Sequence, residues 1–135
     1  MSVVIDASIT LPWYFQDEVT PGTEAVLNRV IAEGAVAPAH WKLEVANGFR
    51  TALLRQRIDR AYRDESLQDL SKLAIEIDTL SIRQAWTTTL VLADRSQSTP
   101  YGAAYLEPAM RRNLPLATLD KELLDAIKLV GLERA

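Results

Sequence analysis

The chain has 135 residues, 48% hydrophobic and 24% charged, with a net charge of -3, a length and balance that give one domain (residues 1–135) with a packed core and exclude a disordered chain. Cysteine is absent, which excludes disulfides, zinc–thiolate and iron–sulfur sites and thiol nucleophiles.

Val3-Val4-Ile5 is a β-branched run that predicts a buried strand ending at Asp6. Ser8 is placed to cap a helical stretch through Leu11 to Phe15, with Pro12 in its first turn. Thr20-Pro21 pairs an N-cap with a proline at the first helical position. Ala25, Val26, Val30 and Ile31 then recur at helical spacing until Gly34. Ala35-Val36-Ala37 predicts a second strand, closed by Pro38. Trp41 to Gln56 reads as a helix with Val45, Phe49, Ala52 and Leu53 on its apolar stripe and Glu44, Asn47 and Thr51 alongside. Asp59 caps a further helix carrying Leu67, Leu70, Leu73 and Ala74, and Ile75 to Leu80 predicts a third strand. A helix is expected from Ser81 to about Ala93. Thr99-Pro100 repeats the cap-plus-proline signal before Tyr101 to Glu107, where Pro108 should kink or end the helix. Leu114 to Ala117 predicts a fourth strand, Lys121 to Lys128 a helix, and Val130 to Leu132 a last edge strand.

Short apolar strands alternating with amphipathic helices define an α/β fold: a short parallel sheet of four to five strands with helices on both faces. The apolar runs, such as Leu90 to Ala93, fall far short of the about 20 residues a membrane span needs. The first residues carry neither a basic segment nor a signal-peptide core, so the expected location is the cytoplasm, with no membrane partner.

Ligands of open parallel sheets bind beyond the carboxyl ends of the strands. Asp6 follows the first strand, Asp120 follows the fourth, and Glu44 lies on the helix after the second. Unpaired carboxylates gathered at one edge resist ionising together, and a divalent cation removes that cost. All-oxygen ligands select Mg²⁺ or Mn²⁺, ions that polarise a phosphoryl oxygen and activate water. Ser8 and Thr118 stand two residues from Asp6 and Asp120, where hydroxyls either hold a metal-bound water or phosphate or simply cap helices.

The ordered set Val3-Val4-Ile5-Asp6-Ala7-Ser8 with Trp13, Ala37-Pro38 with Leu43-Glu44-Val45-Ala46-Asn47, Tyr101 with Ala103-Ala104-Tyr105-Leu106, and Leu116-Ala117-Thr118-Leu119-Asp120 resembles PIN domains, and among them the VapC toxins of bacterial toxin–antitoxin pairs. The resemblance spans essentially the whole chain. It implies an endoribonuclease dependent on Mg²⁺ or Mn²⁺ that hydrolyses RNA to leave a 5′-phosphate. It also implies a VapB-like antitoxin that fills the acidic groove, and a homodimer. On that resemblance Asp6, Glu44 and Asp120 are the metal ligands, Thr118 and Ser8 support them, and Asn47 orients Glu44.

One position departs from the family, which usually has a further Asp where this chain has Gly102. The loss of a carboxylate there implies weakened or abolished turnover, so the alternative is a catalytically inactive PIN-fold module that still binds its antitoxin. Asp94 and Glu107 are possible substitutes, although the helical turn carries Glu107 well away from position 102. A haloacid-dehalogenase-type phosphatase also begins strand–Asp, but it wants a second Asp where this chain has Ser8.

The single histidine, His40, excludes a two-histidine ribonuclease mechanism and is expected to cap the following helix or pack near Trp41. Trp13, Trp41 and Trp86 read as core or interface residues. Eleven of the fifteen cations are arginine, and Arg50, Arg55, Arg57, Arg60 and Arg63 cluster together. That cluster is a solvated face, an RNA-steering patch or a socket for antitoxin carboxylates.

Overall fold

The computed structural model describes residues 2–135. Four strands form one parallel sheet in the order β3-β2-β1-β4: β1 (Val3–Ile5), β2 (Ala35–Pro38), β3 (Ile75–Asp78) and β4 (Leu116–Ala117). Val3 pairs with Ala35 and Ile5 with Ala117, so β1 is central. All three residues of β1 are fully buried although consecutive side chains point to opposite faces. Among the described residues, seven α-helices complete the mixed α/β architecture: α1 (Ala7–Thr10), α2 (Pro21–Glu33), α3 (Trp41–Leu54), α4 (Arg60–Ser71), α5 (Thr88–Ser96), α6 (Pro100–Arg111) and α7 (Lys121–Val130).

The strand order places a topological switch at β1. The chain leaves β1 toward β2 and returns on the other side at β4, so the crevice between the carboxyl ends of β1 and β4 is where such a sheet offers a ligand site. Helix α6 packs across β1, β2 and β4 and buries Tyr105, Leu106, Pro108 and Ala109. Fully burying a side chain such as Leu106 contributes about 1.5–3 kcal/mol.

The local cap signals act as their chemistry predicts. Thr20 and Thr23 form a reciprocal capping box at α2. Asp59 caps α4 by accepting from Tyr62 N at 2.8 Å, and Thr99 caps α6. Gly34 closes α2 with φ of 79°, a backbone state open to glycine at little cost.

Several expectations are corrected. Ser8 does not cap the first helix. Asp6 does, through Ile9 N at 3.1 Å, and the α-helix stops at Thr10, giving way to a 3₁₀ turn over Leu11–Tyr14 that contains Pro12. The helix expected from Ser81 is broken into a 3₁₀ turn (Ser81–Gln84) and α5. The hydroxyls of Thr87 and Thr88 donate to Gln84 Oε1 at 3.3 and 3.2 Å, competing with the backbone for continuation. Helix α6 runs through Pro108 to Arg111. Burial of its apolar face offsets the missing backbone donor, and Arg112 N still reaches Pro108 O at 2.9 Å. The last edge strand is absent at 130–132. Helix α7 extends to Val130, Gly131 turns left-handed at φ 72°, and a lone parallel bridge joins Leu116 to Arg134. Among the described residues, no helix is long and apolar enough to cross a membrane.

Candidate functional site

Asp6 leaves the buried end of β1 and is 4% exposed. Its Oδ1 accepts from Ile9 N at 3.1 Å and from Ser8 Oγ at 2.8 Å. Its Oδ2 accepts from Thr118 Oγ1 at 2.5 Å and Ser8 Oγ at 3.0 Å. The two hydroxyls are in turn fixed from the loop after β4. Leu119 N donates to Ser8 Oγ at 2.8 Å, and Asp120 N donates to Thr118 Oγ1 at 3.0 Å. Ser8 and Thr118 thus stitch the carboxyl ends of β1 and β4 together around one carboxylate.

Burial pushes the Asp6 carboxyl up to about 6 from 3.8. The bonds from Thr118, Ser8 and Ile9 pull the other way without cancelling it, and the Asp120 charge adds to the rise. A carboxylate desolvated this far and faced by a second acid is stored at a cost, which is typical of functional positions.

Glu44 lies in the first turn of α3 with its side chain 42% exposed. Tyr105 of α6 donates its hydroxyl to Glu44 Oε1. Burial and the Glu44 contact hold the Tyr105 phenol far above its usual range, so it remains a donor. His40 Nε2 stands 3.6 Å from the same oxygen. Asp120 is exposed and caps α7, accepting from Leu123 N at 3.0 Å through Oδ1.

Asp6, Ser8, Glu44, Tyr105 and Asp120 line one cavity of about 170 Å³, together with Gly102 and Glu122. Its placement is at the switch of the sheet, as the strand order requires. Among the described residues, no three His, Asp or Glu side chains stand close enough to hold an ion by themselves. A wider groove of about 1120 Å³ lies elsewhere, beside Tyr14, Arg57 and Tyr62. There the acid Asp17 is committed to Arg57 at 3.0 Å, and Asp59 to its helix cap.

Asn47 is exposed and makes no hydrogen bond to Glu44; Tyr105 holds that carboxylate instead. Neither Tyr105 nor Glu122 was singled out for a role by the sequence pattern. The signal for Tyr105 is its position three residues after Gly102, on the same face of α6. Tyr105→Phe is expected to change stability by no more than about 1 kcal/mol, because solvent reaches Glu44, which urea unfolding checks.

Gly102 opens the cavity without being required by it. An added Cβ would meet Thr99 Oγ1 at 3.8 Å and Ser98 Cβ at 3.9 Å, ordinary contacts. Glu107 points elsewhere: it is buried and bonded to Arg111 Nε at 3.0 Å. Asp94 is exposed on α5 and does not line the cavity. His40 occupies the N-cap position of α3 with no side-chain cap bond; its Nε2 pairs with the Tyr101 carbonyl oxygen at 3.0 Å. Trp41 is core and donates to Thr10 Oγ1 at 3.1 Å. Trp13 donates to the Thr23 carbonyl at 3.0 Å, whereas Trp86 is 89% exposed and is no part of the core.

With this geometry in place, the fold is that of a known structure. The chain is similar to PAE2754 from Pyrobaculum aerophilum, with a TM-score of 0.67 and 19% sequence identity over 97% of this chain and 96% of that one. At that identity the likeness establishes the fold alone. No family model and no curated protein matches the sequence.

Proposed function

We propose that the protein is a PIN-domain endoribonuclease of the VapC-like toxin type. The reading takes residues 1–135 as one domain with helices on both faces of the sheet. The observation that carries it is Asp6: a carboxyl buried at the sheet's switch point, raised to about 6 and facing a cavity shared with Glu44, Asp120 and Glu122. Asp6 and Asp120 also cap helices, but burial makes the Asp6 charge costly, and a cation in the shared cavity would offset that cost.

The donors fit a hydrated hard dication. All are oxygens, and Mg²⁺ is ordinarily held by one or two carboxylates with water completing its shell. That requirement is met without three carboxylates in direct contact with one ion. Asp6, Asp120 and Glu44 are the residues that would hold Mg²⁺ or Mn²⁺. A cation held there would supply positive charge for a phosphoryl oxygen and lower the pKa of a water. Ser8 and Thr118 fix both oxygens of Asp6, Asp120 is tied to the same pair of hydroxyls through its backbone, and Tyr105 positions Glu44. The arginine cluster steers RNA only in part, because Arg57 is occupied by Asp17 and Glu18, each at 3.0 Å, and lies over the Phe15 ring.

A second reading is favoured by one feature, the open space at Gly102. The chain is then an inactive module that still binds a VapB-like antitoxin. Trp86, Ile82 and Leu90 are exposed apolar side chains, of the kind that a partner or a second copy covers.

Incubating the parent chain with RNA, with and without Mn²⁺, separates the readings, with Gly102→Asp as the control that should cleave under both. The side chain fits at the third position of α6, where an acid also favours the helix N-terminus. Mn²⁺ affinity is expected to rise about tenfold through the added ligand charge, and the variant is expected to cleave single-stranded RNA with Mn²⁺. Asp6→Asn in the same background is expected to abolish cleavage. If Gly102→Asp cleaves and the parent chain does not, the nuclease reading fails and the binding module remains.

A further inference from the structure

Two of the elements that line the acidic cavity, α1 through Ser8 and α3 through Glu44, are joined by a pair of buried hydrogen bonds. Thr10 closes α1 and Trp41 opens α3. Trp41 Nε1 donates to Thr10 Oγ1 at 3.1 Å, and the same hydroxyl donates to the Asp6 carbonyl oxygen at 2.7 Å. Thr10 is 0% exposed and Trp41 4%, so both bonds lie in a dry, low-dielectric interior that strengthens them.

One half of this link is ordinary and the other is not. A helical threonine or serine often returns its hydroxyl to the carbonyl four residues back, as Ser96 does to Leu92 O at 2.6 Å. The indole bond is non-local. It ties the first turn of α3 to the residue whose hydroxyl already holds the Asp6 backbone. Glu44 follows Trp41 by three residues, about one turn along that helix. A hydroxyl has one proton to give and lone pairs to accept with, and Thr10 uses both capacities here. An apolar pair of like shape is nearly as stable in a core, so packing alone does not account for a polar link at this place.

We propose that Thr10 is a positioning residue: through its hydroxyl, the turn of α3 that carries Glu44 is held at a fixed spacing from Asp6. The proposal rests on the reading of Asp6 and Glu44 as holders of one cation, and it names what sets their separation. The bonds to the carboxylates themselves do not set it. Asp6 is held by Ser8 and Thr118 and Glu44 by Tyr105, and none of these runs between α1 and α3. A site of this kind tolerates misplacement of only about 0.5 Å, which makes a stiff, buried link between its walls consequential.

The test measures Mn²⁺ affinity by calorimetry and the metal-free structure by crystallography, both on the full chain. Thr10→Val, close to the same shape, removes both bonds, and Thr10→Ser keeps the hydroxyl. Thr10→Val is expected to weaken Mn²⁺ binding about tenfold, the size of a lost outer-shell contact, while Thr10→Ser matches the parent. Once Glu44→Gln has removed the carboxylate, the same Thr10→Val change is expected to cost less than about twofold. A role confined to packing gives equal losses in both backgrounds, and that result overturns the proposal. In the metal-free crystal of Thr10→Val, Glu44 is expected to stand displaced relative to Asp6 by at least about 0.5 Å; an unchanged spacing also overturns the proposal. Trp41→Phe deletes the indole donor and spares the bond from Thr10 to Asp6. It is expected to act in the same direction and replaces Thr10→Val if that variant does not fold. A parent chain that binds no Mn²⁺ overturns the cation reading alone, and the metal-free spacing then decides the positioning role. Equally tight Mn²⁺ binding by the parent and Thr10→Val overturns the positioning role alone.

Discussion

Asp6→Asn is expected to stabilise the metal-free protein by about 3 kcal/mol at pH 7.5, an unusual outcome for a change at a buried helix cap. The Asp6 carboxyl titrates near 6 when folded against 3.8 as a free side chain, and each pK unit is worth about 1.4 kcal/mol. A carboxyl with the higher pKa in the folded state binds its proton more tightly there. Its favourable contribution is therefore present below pH 3.8 and is lost as pH rises through about 6. Asparagine stays neutral throughout. It keeps an acceptor for Ile9 N, and the Thr118 and Ser8 hydroxyls have a lone pair each to accept from its amide. Urea unfolding with chelator should show the parent protein losing stability between pH 4 and 6 relative to Asp6→Asn. Added Mn²⁺ should stabilise the parent alone. A less stable Asp6→Asn at pH 7.5 would mean that the carboxylate is kept as a structural cap.

The second large effect lies at the far end of α6. Arg111 donates to Asp78 Oδ1 at 2.8 Å and to Glu107 at 3.0 Å, and Arg112 bridges Asp78 and Glu76 at 3.2 and 2.7 Å. Asp78 and Glu107 are both buried. Although burial raises the Asp78 carboxyl, the bonds from Arg111 and Ser81 outweigh it and hold the group below its usual range. Arg111→Met keeps most of the packing stem and leaves two buried acids short of a partner. Breaking a buried pair costs about 3–5 kcal/mol. The lower end applies here, since Arg111 is partly open to solvent and Arg112 retains one oxygen of Asp78. The Asp78 contribution is present above pH 3.8 and fades as pH falls through its lower folded value, so the deficit of Arg111→Met should shrink in acid. A deficit under about 1 kcal/mol in urea unfolding at pH 7 contradicts the network's role. The same ion pairs tie α6 to β3, and α6 carries Gly102 and Tyr105 to the cavity.

Features written in neighbouring residues were legible, and those made by distant residues were not. Thr20-Pro21, Asp59 and Thr99-Pro100 announce helix starts because a capping side chain bonds to backbone only three residues away. Val3-Val4-Ile5 announces a strand by its β-branched run. Which strands pair is not local, and the β3-β2-β1-β4 order emerged only in the structure. Helix α6 passes Pro108 because tertiary burial outweighs a local breaker. The sequence pattern named Asp6, Glu44 and Asp120, which line one cavity. The family resemblance implies that Asn47, a near neighbour, orients Glu44, whereas the bond comes from Tyr105 on another helix. Ser8 was ambiguous for a related reason: its partners at Thr118 and Leu119 come from the other end of the chain.

The central claim is that Asp6, Glu44 and Asp120 share a hard dication. A crystal soaked with Mn²⁺ and measured at the manganese absorption edge tests it most directly. One anomalous peak is expected in the cavity, bound to Asp6 and at least one of Glu44 or Asp120, with water in its shell. A cavity without manganese at saturating concentration, or manganese bound only at an outlying pair such as Asp17 and Glu18, would contradict it.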